Sequence, residues 1–291
     1  MFKTKRRFAD TIIGNIIIMF LVLTSWSLLA KLFTPFDSLA DTNPDLYTVI
    51  HYAKVIYQYV PAVIFMLIYK PDRKLFSNMF PGKGNTIKNI LVGLLLGFGI
   101  NIICALISVI TGDISLYYGS PNWFYIILCI GAVIIQTGAE EFICRLFLYQ
   151  HLYRGYNNPW VAITVPSLIF ASLHLLNPGI DIIAFVHSIV IAVAFSLMVY
   201  VFDSFWMAWA YHFAWNYTQS IILGLPNSGL VFSLSIFKLE AATATEAIGY
   251  DPFYGIEGSL LGLILNTVMT LILLYFAIKK RKAEKASPKT Y

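Results

Sequence analysis

Long uninterrupted apolar runs constrain the fold of this chain more than any other feature. A helix needs about 20 apolar residues to cross the hydrocarbon core of a bilayer. Only 12% of the 291 residues are charged, against about a quarter in soluble domains. About eight runs have the required length: residues 9–33, 48–69, 87–111, 121–150, 159–176, 180–202, 204–223 and 258–278. The sequence therefore predicts an all-α fold, a polytopic transmembrane helical bundle that forms a single integral membrane domain over residues 1–291.

Charged residues between the apolar runs indicate which side of the membrane each loop occupies. Lysines and arginines are enriched in alternate loops and near both chain ends, while the intervening loops are mainly acidic. Because Lys and Arg are enriched on the cytoplasmic side of membrane proteins, this alternation predicts that both termini are cytoplasmic. The basic residues concerned are Lys3, Lys5, Arg6, Arg7, Lys70, Arg73, Lys74, Lys83, Lys88, Arg154, Lys279, Lys280, Arg281, Lys282, Lys285 and Lys289. Since the basic tails adjoin apolar runs, the partner they indicate is the lipid bilayer and not nucleic acid.

Three cysteines, Cys104, Cys129 and Cys144, all lie within predicted spans. Their number is odd and they form no CxxC pair, so the sequence indicates neither a disulfide framework nor a thiolate metal site. Free cysteines are among the most buried residues in proteins and behave as small apolar side chains. We expect that role for all three.

The fourth run contains the most unusual segment of the chain, Gln136-Thr-Gly-Ala-Glu-Glu-Phe-Ile-Cys-Arg-Leu-Phe. A charged side chain at the centre of a membrane helix costs about 2–3 kcal/mol on insertion scales, so such residues are usually functional. Glu141 and Arg145 are four residues apart and share a helix face, where they can pair. Glu140 lies about 100° around the helix from Glu141. One arginine compensates two buried acids poorly, so we expect Glu140 to stay available for chemistry; the alternative is a structural ion network of all three residues.

Two later runs supply histidines at helical spacing. Phe170 precedes His174 by one turn in the fifth run, and His212 precedes Asn216 by one turn in the seventh. At 1.5 Å per residue, these residues and the glutamates of the fourth run reach similar depths, so they can line one cavity. His187 in the sixth run is expected to be a packing or helix-bonding residue.

Together these side chains form a set suited to hydrolysis. Glu140 can accept a proton from water, and His174 can position that water or protonate the leaving amine. His212 and Asn216 can donate hydrogen bonds to a developing oxyanion. The competing arrangement is a zinc ion bound by His174, His212 and Glu140. The common zinc-protease motif HExxH is absent, and so are the usual nucleotide-binding motifs.

Three motifs occur in order between residues 136 and 220: EExxxR at Glu140, Glu141 and Arg145, FxxxH at Phe170 and His174, and HxxxN at His212 and Asn216. This combination resembles the CAAX prenyl protease and bacteriocin-processing (CPBP, or Abi) family of intramembrane endopeptidases, bacterial type. The resemblance implies an eight-helix fold with its catalytic core over residues 121–223. The implied catalytic residues are Glu140, His174, His212 and Asn216, and the implied supporting residues are Glu141, Arg145 and Phe170.

The leading functional hypothesis is an intramembrane endopeptidase with a peptide or a membrane protein as its substrate. Short loops and the segment before the last run favour a bacterial plasma membrane protein over a eukaryotic enzyme that processes CaaX proteins. Two other classes remain open. One is a bacteriocin immunity factor or a regulator of a membrane sensor that cleaves nothing. The other is a proton-coupled transporter, since Glu and His also relay protons, although the sequence shows no inverted repeat.

Overall fold

The computed structural model describes residues 7–75 and 84–286, and these residues are mostly helical. The α-helices are α1 Ile12–Ala30, α2 Leu39–Thr42, α3 Pro44–Ala53, α4 Tyr59–Ile68, α5 Ile87–Ile110, α6 Trp123–Glu141, α7 Tyr149–Tyr156, α8 Pro159–Leu173, α9 Ile182–Phe202, α10 Phe205–Asn216 and α11 Leu260–Ala286. Short 3₁₀-helices span Phe8–Asp10, Lys31–Phe36, Lys54–Gln58, Lys70–Asp72, His174–Leu176, Ala241–Thr243 and Ile256–Gly258. Two π-helices span Phe142–Leu148 and Tyr217–Ile222. The predicted all-α transmembrane bundle is confirmed.

Within the described ranges, seven helical segments are long and apolar enough to cross a membrane: Ile12–Thr42, Pro44–Ile68, Ile87–Ile110, Trp123–Tyr156, Pro159–Leu176, Ile182–Phe202 and Leu260–Ala286. Each corresponds to one predicted run. The remaining predicted run, residues 204–223, is also helical, from Phe205 to Ile222, but it is more polar than the other seven. Its side chains include His212, Asn216 and Gln219, which are buried inside the bundle. A helix surrounded by protein does not need the hydropathy of one that faces lipid.

Helix α10 occupies the centre of the bundle, where it packs against α5, α6 and α9. Gly93 and Gly97 of α5 face it, and a Cβ at these positions would overlap the backbone oxygens of Met207 and Tyr211, respectively. Small residues at this spacing allow membrane helices to approach closely. On another side α10 contacts α6, so the helices that carry the EExxxR and HxxxN motifs are neighbours.

Side-chain caps define where seven of the helices begin, namely α1, α3, α5, α6, α8, α9 and α10. In α8 the Asn158 side chain accepts a hydrogen bond from the Trp160 amide, and in α10 the Ser204 hydroxyl accepts one from the Met207 amide. Such caps satisfy amides that have no partner within the helix. They fix the start, and hence the depth, of the helices that carry the site.

A two-stranded sheet is one part of the fold that the sequence did not predict. Strand β1 (Leu116–Tyr118) pairs antiparallel with strand β2 (Phe237–Leu239). The sheet joins the α5–α6 loop to the long segment between α10 and α11. Each strand has three residues, which is too short to produce a recognisable alternation of polar and apolar side chains.

The helix termini meet at two opposite ends of the bundle. At one end the Gly84 amide donates to the Asp203 carbonyl at 3.2 Å, and Arg281 Nη2 donates to the Asn157 carbonyl at 3.2 Å. The C-terminal ends of α4, α7, α9 and α11 lie here, and we call this the basic end because lysines and arginines occur in α7, in α11 and in the segment after α4. The sheet and residues 223–259 lie at the other, acidic end. Both described ends of the chain lie at the basic end.

A buried ionic cluster ties three segments together at the basic end. Arg154 of α7 pairs with both Asp10 and Asp72, and Asp72 Oδ2 lies 2.6 Å from His151 Nε2. The other ring nitrogen of His151 lies 3.3 Å from Asn15 Oδ1. We call Asp10, Asn15, Asp72, His151 and Arg154 the basic-end cluster. It joins the start of α1 and the segment after α4 to the helix that continues from the EExxxR motif.

Candidate active site

A cavity of about 620 Å³ lies inside the bundle, between α1, α3, α6, α8, α9 and α10. Its lining contains all four residues predicted to be catalytic, Glu140, His174, His212 and Asn216. They come from three separate regions of the chain and meet because α6, α8 and α10 are packed around the same space. The depth estimate made from the sequence therefore agrees with the structure: the four residues face one cavity.

The helices that carry the EExxxR and HxxxN motifs change their winding within or directly after the motif. The helix switches from α to π after Glu141 and returns to α at Tyr149, and a second π-helix begins immediately after Asn216. π-turns are rare in proteins, but those that do occur are often found at functional sites. The sequence predicted a continuous helix over residues 121–150. The structure keeps the helix, extends it to Tyr156 and inserts the π segment beside the acidic pair.

Glu141 and Arg145 form a fully buried ion pair. Arg145 Nη1 donates to Glu141 Oε1 at 3.0 Å, and Arg145 Nη2 donates to the Ala192 carbonyl at 2.8 Å. The guanidinium carbon lies 5.0 Å from the ring centres of both Phe170 and Phe195. Two atoms of the pair, Glu141 Oε2 and Arg145 Nε, are buried without a hydrogen-bond partner. Arg145 thus compensates Glu141 and attaches the π-helix Phe142–Leu148 to α9.

Glu140, by contrast, faces the cavity, and its side chain is 25% exposed. Gln136 Nε2, one turn earlier on α6, donates to Glu140 Oε1 at 2.5 Å. The other carboxylate oxygen lies 3.7 Å from His212 Nε2. Among the described residues no lysine or arginine pairs with Glu140. The adjacent glutamates therefore differ: one is sealed in an ion pair and the other is open to the cavity.

His212 connects the two glutamates. Its Nδ1 lies 2.9 Å from Glu141 Oε1, and its Nε2 points toward Glu140 and lies 3.4 Å from Asn216 Nδ2. The ring also stacks on Phe195, with 5.2 Å between ring centres. The buried carboxylate of Glu141 thus orients the imidazole and leaves Nε2 directed at the cavity.

His174 lies at the start of the short 3₁₀-helix that follows α8. Its Nδ1 is 2.9 Å from the Phe170 carbonyl, and its ring lies 4.6 Å from that of Phe170. A ring nitrogen that donates to a carbonyl fixes the tautomer and leaves Nε2 as the free nitrogen. The FxxxH spacing therefore positions the histidine through its own helix, and Phe170 also packs against Arg145.

Gln136 and Asn227 belong to the site although the sequence assigned them no role. Asn216 Nδ2 donates to Gln136 Oε1 at 3.0 Å, so Gln136 links Asn216 to Glu140. Asn227 Nδ2 donates to Asn216 Oδ1 at 3.3 Å, which fixes the orientation of the Asn216 amide. The four-residue spacing from Gln136 to Glu140 is a usable sequence signal. Asn227 lies in the segment after α10, where the sequence offers no such signal.

A second polar group lines the cavity toward the acidic end. Glu257 accepts hydrogen bonds from Trp215 Nε1 at 2.9 Å, from the Ser228 amide at 2.6 Å and from the Ser228 hydroxyl at 2.9 Å. His187 is hydrogen-bonded to the Glu257 carbonyl and to Asn266 of α11. This agrees with the helix-bonding role expected for His187. The group holds the segment between α10 and α11 over the cavity.

The three cysteines are free and buried, as expected. Within residues 7–75 and 84–286, no three His, Cys, Asp or Glu side chains are grouped closely enough to hold a metal ion. The zinc arrangement of His174, His212 and Glu140 would need these side chains to move closer together. What the site offers as it stands is an open carboxylate beside two imidazoles and an amide donor, in a cavity surrounded by apolar helices.

The fold and the site define a multi-pass membrane protein with a glutamate-containing polar cavity inside its helical bundle. Residues 121–218, about a third of the chain, match the family model for type II CAAX prenyl endopeptidase Rce1-like proteins. This segment contains all three motifs, and over it the chain is similar to the CAAX-type intramembrane proteases. The resemblance that the motifs indicated is confirmed. A comparison with curated proteins finds no match, and a comparison with solved structures finds none either.

Proposed function

We propose that this protein is an intramembrane endopeptidase in which Glu140 activates water for hydrolysis of a peptide bond. The observation that carries this proposal is the difference between the two adjacent glutamates. Glu141 is buried against Arg145 and His212, whereas Glu140 faces the cavity and contacts only neutral or histidine side chains. A general base must be a free acceptor within reach of the proton that it removes.

In the proposed reaction, Glu140 takes a proton from a water molecule as the water oxygen bonds to the carbonyl carbon of the substrate. The tetrahedral intermediate then collapses and the carbon–nitrogen bond breaks. The proton held by Glu140, relayed directly or through His174, is transferred to the leaving amine. His174 suits this part because its Nδ1 is bound to the Phe170 carbonyl, which leaves Nε2 for proton transfer.

His212 and Asn216 would stabilise the negative charge that develops on the carbonyl oxygen. In its charged form His212 donates from both ring nitrogens, from Nδ1 to Glu141 and from Nε2 into the cavity. Asn216 Nδ2 lies 3.4 Å from that Nε2, so both donors address the same space. Fixed donors in a site with little water are among the strongest sources of rate enhancement.

A zinc mechanism uses the same residues differently. The Nδ1 atoms of His174 and His212 are bonded to a carbonyl and a carboxylate, the partners that metal-binding histidines usually have. The side chains as arranged, however, form no three-ligand group among the described residues. We therefore base the proposal on Glu140 and water. Cleavage that stops in a chelator and returns with added zinc would replace it with the metal mechanism.

The substrate would be a peptide or a membrane protein whose scissile bond reaches the cavity from the bilayer. We place the protein in a bacterial plasma membrane, where peptide leaders, bacteriocins and other membrane proteins are suitable substrates. A cavity of about 620 Å³ with a mostly apolar wall fits an extended segment of a few residues. The alternative of an immunity factor or a sensor regulator uses the same cavity for binding without cleavage.

The test is a reconstitution in proteoliposomes with a set of single-span peptides and with detection of products by mass spectrometry. Wild-type protein should produce defined fragments, and Glu140→Gln protein, at equal amount and equal folding, should produce none. If Glu140→Gln protein still protects cells or regulates a sensor as well as wild type does, the biological role does not depend on proteolysis. That result would favour the alternative.

A further inference from the structure

The residues around the cavity occupy only one half of the bundle. On α1 the lining residues are Leu23 and Trp26, which lie more than ten residues from the basic end of that helix. On α9, which starts at the acidic end, the lining extends from His187 to Phe195 and not into the last two turns. The lining also includes Asn177, Asn227, Ser228, Leu230 and Glu257, which lie in acidic-end segments.

The other half of the bundle is closed. Ile143 and Cys144 form part of the cavity wall, and further along the same helix Leu146, Phe147 and Leu148 are fully or almost fully buried. Phe147 packs directly on His151 of the basic-end cluster, with 4.4 Å between ring centres. No residue of the basic-end loops described in the structure lines the cavity. A packed apolar layer and a buried ionic cluster thus separate the site from the basic end.

The two ends differ strongly in charge. Among the described residues, eleven lysines and arginines lie at the basic end and three at the acidic end. Those at the basic end are Arg7, Lys70, Arg73, Lys74, Lys88, Arg154, Lys279, Lys280, Arg281, Lys282 and Lys285, and those at the acidic end are Lys31, Lys54 and Lys238. The excess of Lys and Arg marks the cytoplasmic side of a membrane protein.

We infer that the cavity opens toward the non-cytoplasmic side of the membrane and is closed toward the cytoplasm. The orientation itself does not depend on the proposed protease function, but its consequence for the substrate does. The scissile bond must then be presented from outside: on an exported peptide, or on the non-cytoplasmic juxtamembrane segment of a membrane protein. A segment that is exposed only on the cytoplasmic face would have no path to Glu140.

Site-directed cysteine labelling tests the orientation without any substrate. The background is the Cys104→Ala, Cys129→Ala, Cys144→Ala protein, in which each removed thiol is buried. Single cysteines are then introduced at the exposed cavity rim (Leu230→Cys), at the site (Glu140→Cys) and, as the matched control, at the exposed basic end (Lys285→Cys). If Glu140→Cys protein does not fold, His174→Cys replaces it, because this side chain also lines the cavity.

A charged, membrane-impermeant maleimide is applied to spheroplasts of a bacterial expression host and to inside-out vesicles. We expect the rim and site cysteines to react at least about a hundred-fold faster in spheroplasts, since placing a charge in the bilayer core costs at least about 2.5–3.5 kcal/mol. Lys285→Cys should show the reverse. Reaction of the site cysteine from the cytoplasmic face, or from neither face while Leu230→Cys reacts, overturns the inference. Labelling from outside, together with no peptide cleavage by the wild-type protein in proteoliposomes, would keep the orientation and contradict the protease.

Discussion

The basic-end cluster and the site in the cavity are built from the same set of side chains: two acids, an arginine, a histidine and an asparagine. In the cavity these are Glu140, Glu141, Arg145, His212 and Asn216, which we call the site cluster. The arginines of both clusters, Arg145 and Arg154, lie on the same continuous helical segment, which runs from α6 through α7. The composition of a buried charged cluster therefore does not distinguish a structural role from a chemical one.

The partners of the side chains do distinguish the two clusters. In the basic-end cluster both carboxylates are bound to Arg154, and His151 has an oxygen at each ring nitrogen. Asn15 completes it by donating to the carbonyls of Ala9 and Thr11. None of its buried side-chain nitrogen or oxygen atoms lacks a partner. A fully partnered network of this kind is rigid and specifies how the segments meet.

The site cluster has unused hydrogen-bonding capacity. Glu141 Oε2 and Arg145 Nε have no partner, and Glu140 faces a cavity. An unpartnered buried polar atom costs about 1–3 kcal/mol, so a cluster that only held helices together would be expected to satisfy it. The difference separates the clusters into one that stabilises the fold and one that can bind and react. Four substitutions test this separation.

Glu140→Gln should give the largest effect, and it should be on turnover alone. Removal of the general base lowers kcat/KM by about 10³- to 10⁴-fold, near the upper end for such groups. The free energy of unfolding should change by less than about 1 kcal/mol, because one hydrogen bond from Gln136 is altered. Peptide cleavage in proteoliposomes and thermal unfolding in detergent measure the two quantities. Cleavage at the wild-type rate would remove Glu140 from the reaction.

Asp72→Asn should give the opposite pattern. The change removes the buried carboxylate that His151 and Arg154 share. We expect it to lower the free energy of unfolding by about 3–5 kcal/mol. The fraction that remains folded should cleave at close to the wild-type rate, since Asp72 does not line the cavity. The exposed Asp41→Asn change is the matched control and should leave stability unaltered. A stable but inactive Asp72→Asn protein would show that the two clusters are coupled.

Asn216→Ala should lower the rate by about 10²- to 10³-fold, the usual effect of losing one oxyanion donor. The matched control is Asn101→Ala on α5, because Asn101 is equally buried and donates to Gln219 but does not line the cavity. That control should lower stability by about 1–3 kcal/mol and leave turnover intact. Equal losses of turnover in both variants would mean that Asn216 acts through packing alone.

The contrast also explains what could be predicted from the sequence. Charges within an apolar run are costly, so Glu140, Glu141 and Arg145 stood out, and helical spacing added His174, His212 and Asn216. Asp10, Asp72 and Arg154 lie near the ends of runs, where charges are ordinary. Their mutual contact depends on tertiary packing, which spacing along the chain does not reveal.

The helix interruptions were equally hidden, for a different reason. The predicted run 48–69 is divided in the structure into α3, the 3₁₀-helix Lys54–Gln58 and α4, and the π segment follows Glu141 without a proline or a glycine pair. Both changes shift backbone hydrogen bonds by one residue and keep the apolar pattern. Hydropathy predicts that a segment is buried in the membrane, but it does not report the winding of the helix.

Gln136→Leu should give the smallest of the four effects and tests how finely the site cluster is arranged. The change removes the bonds to Glu140 and Asn216 at nearly constant volume. If these bonds stabilise the reactive orientation of the two side chains by about 1–1.5 kcal/mol, their loss lowers kcat about ten-fold and leaves KM unchanged. Gln150→Leu on α7, outside the cavity, is the control and should behave like wild type. If Gln136→Leu retains full kcat, the carboxylate and the amide are positioned by their helices alone, and the site is as rigid as the basic-end cluster.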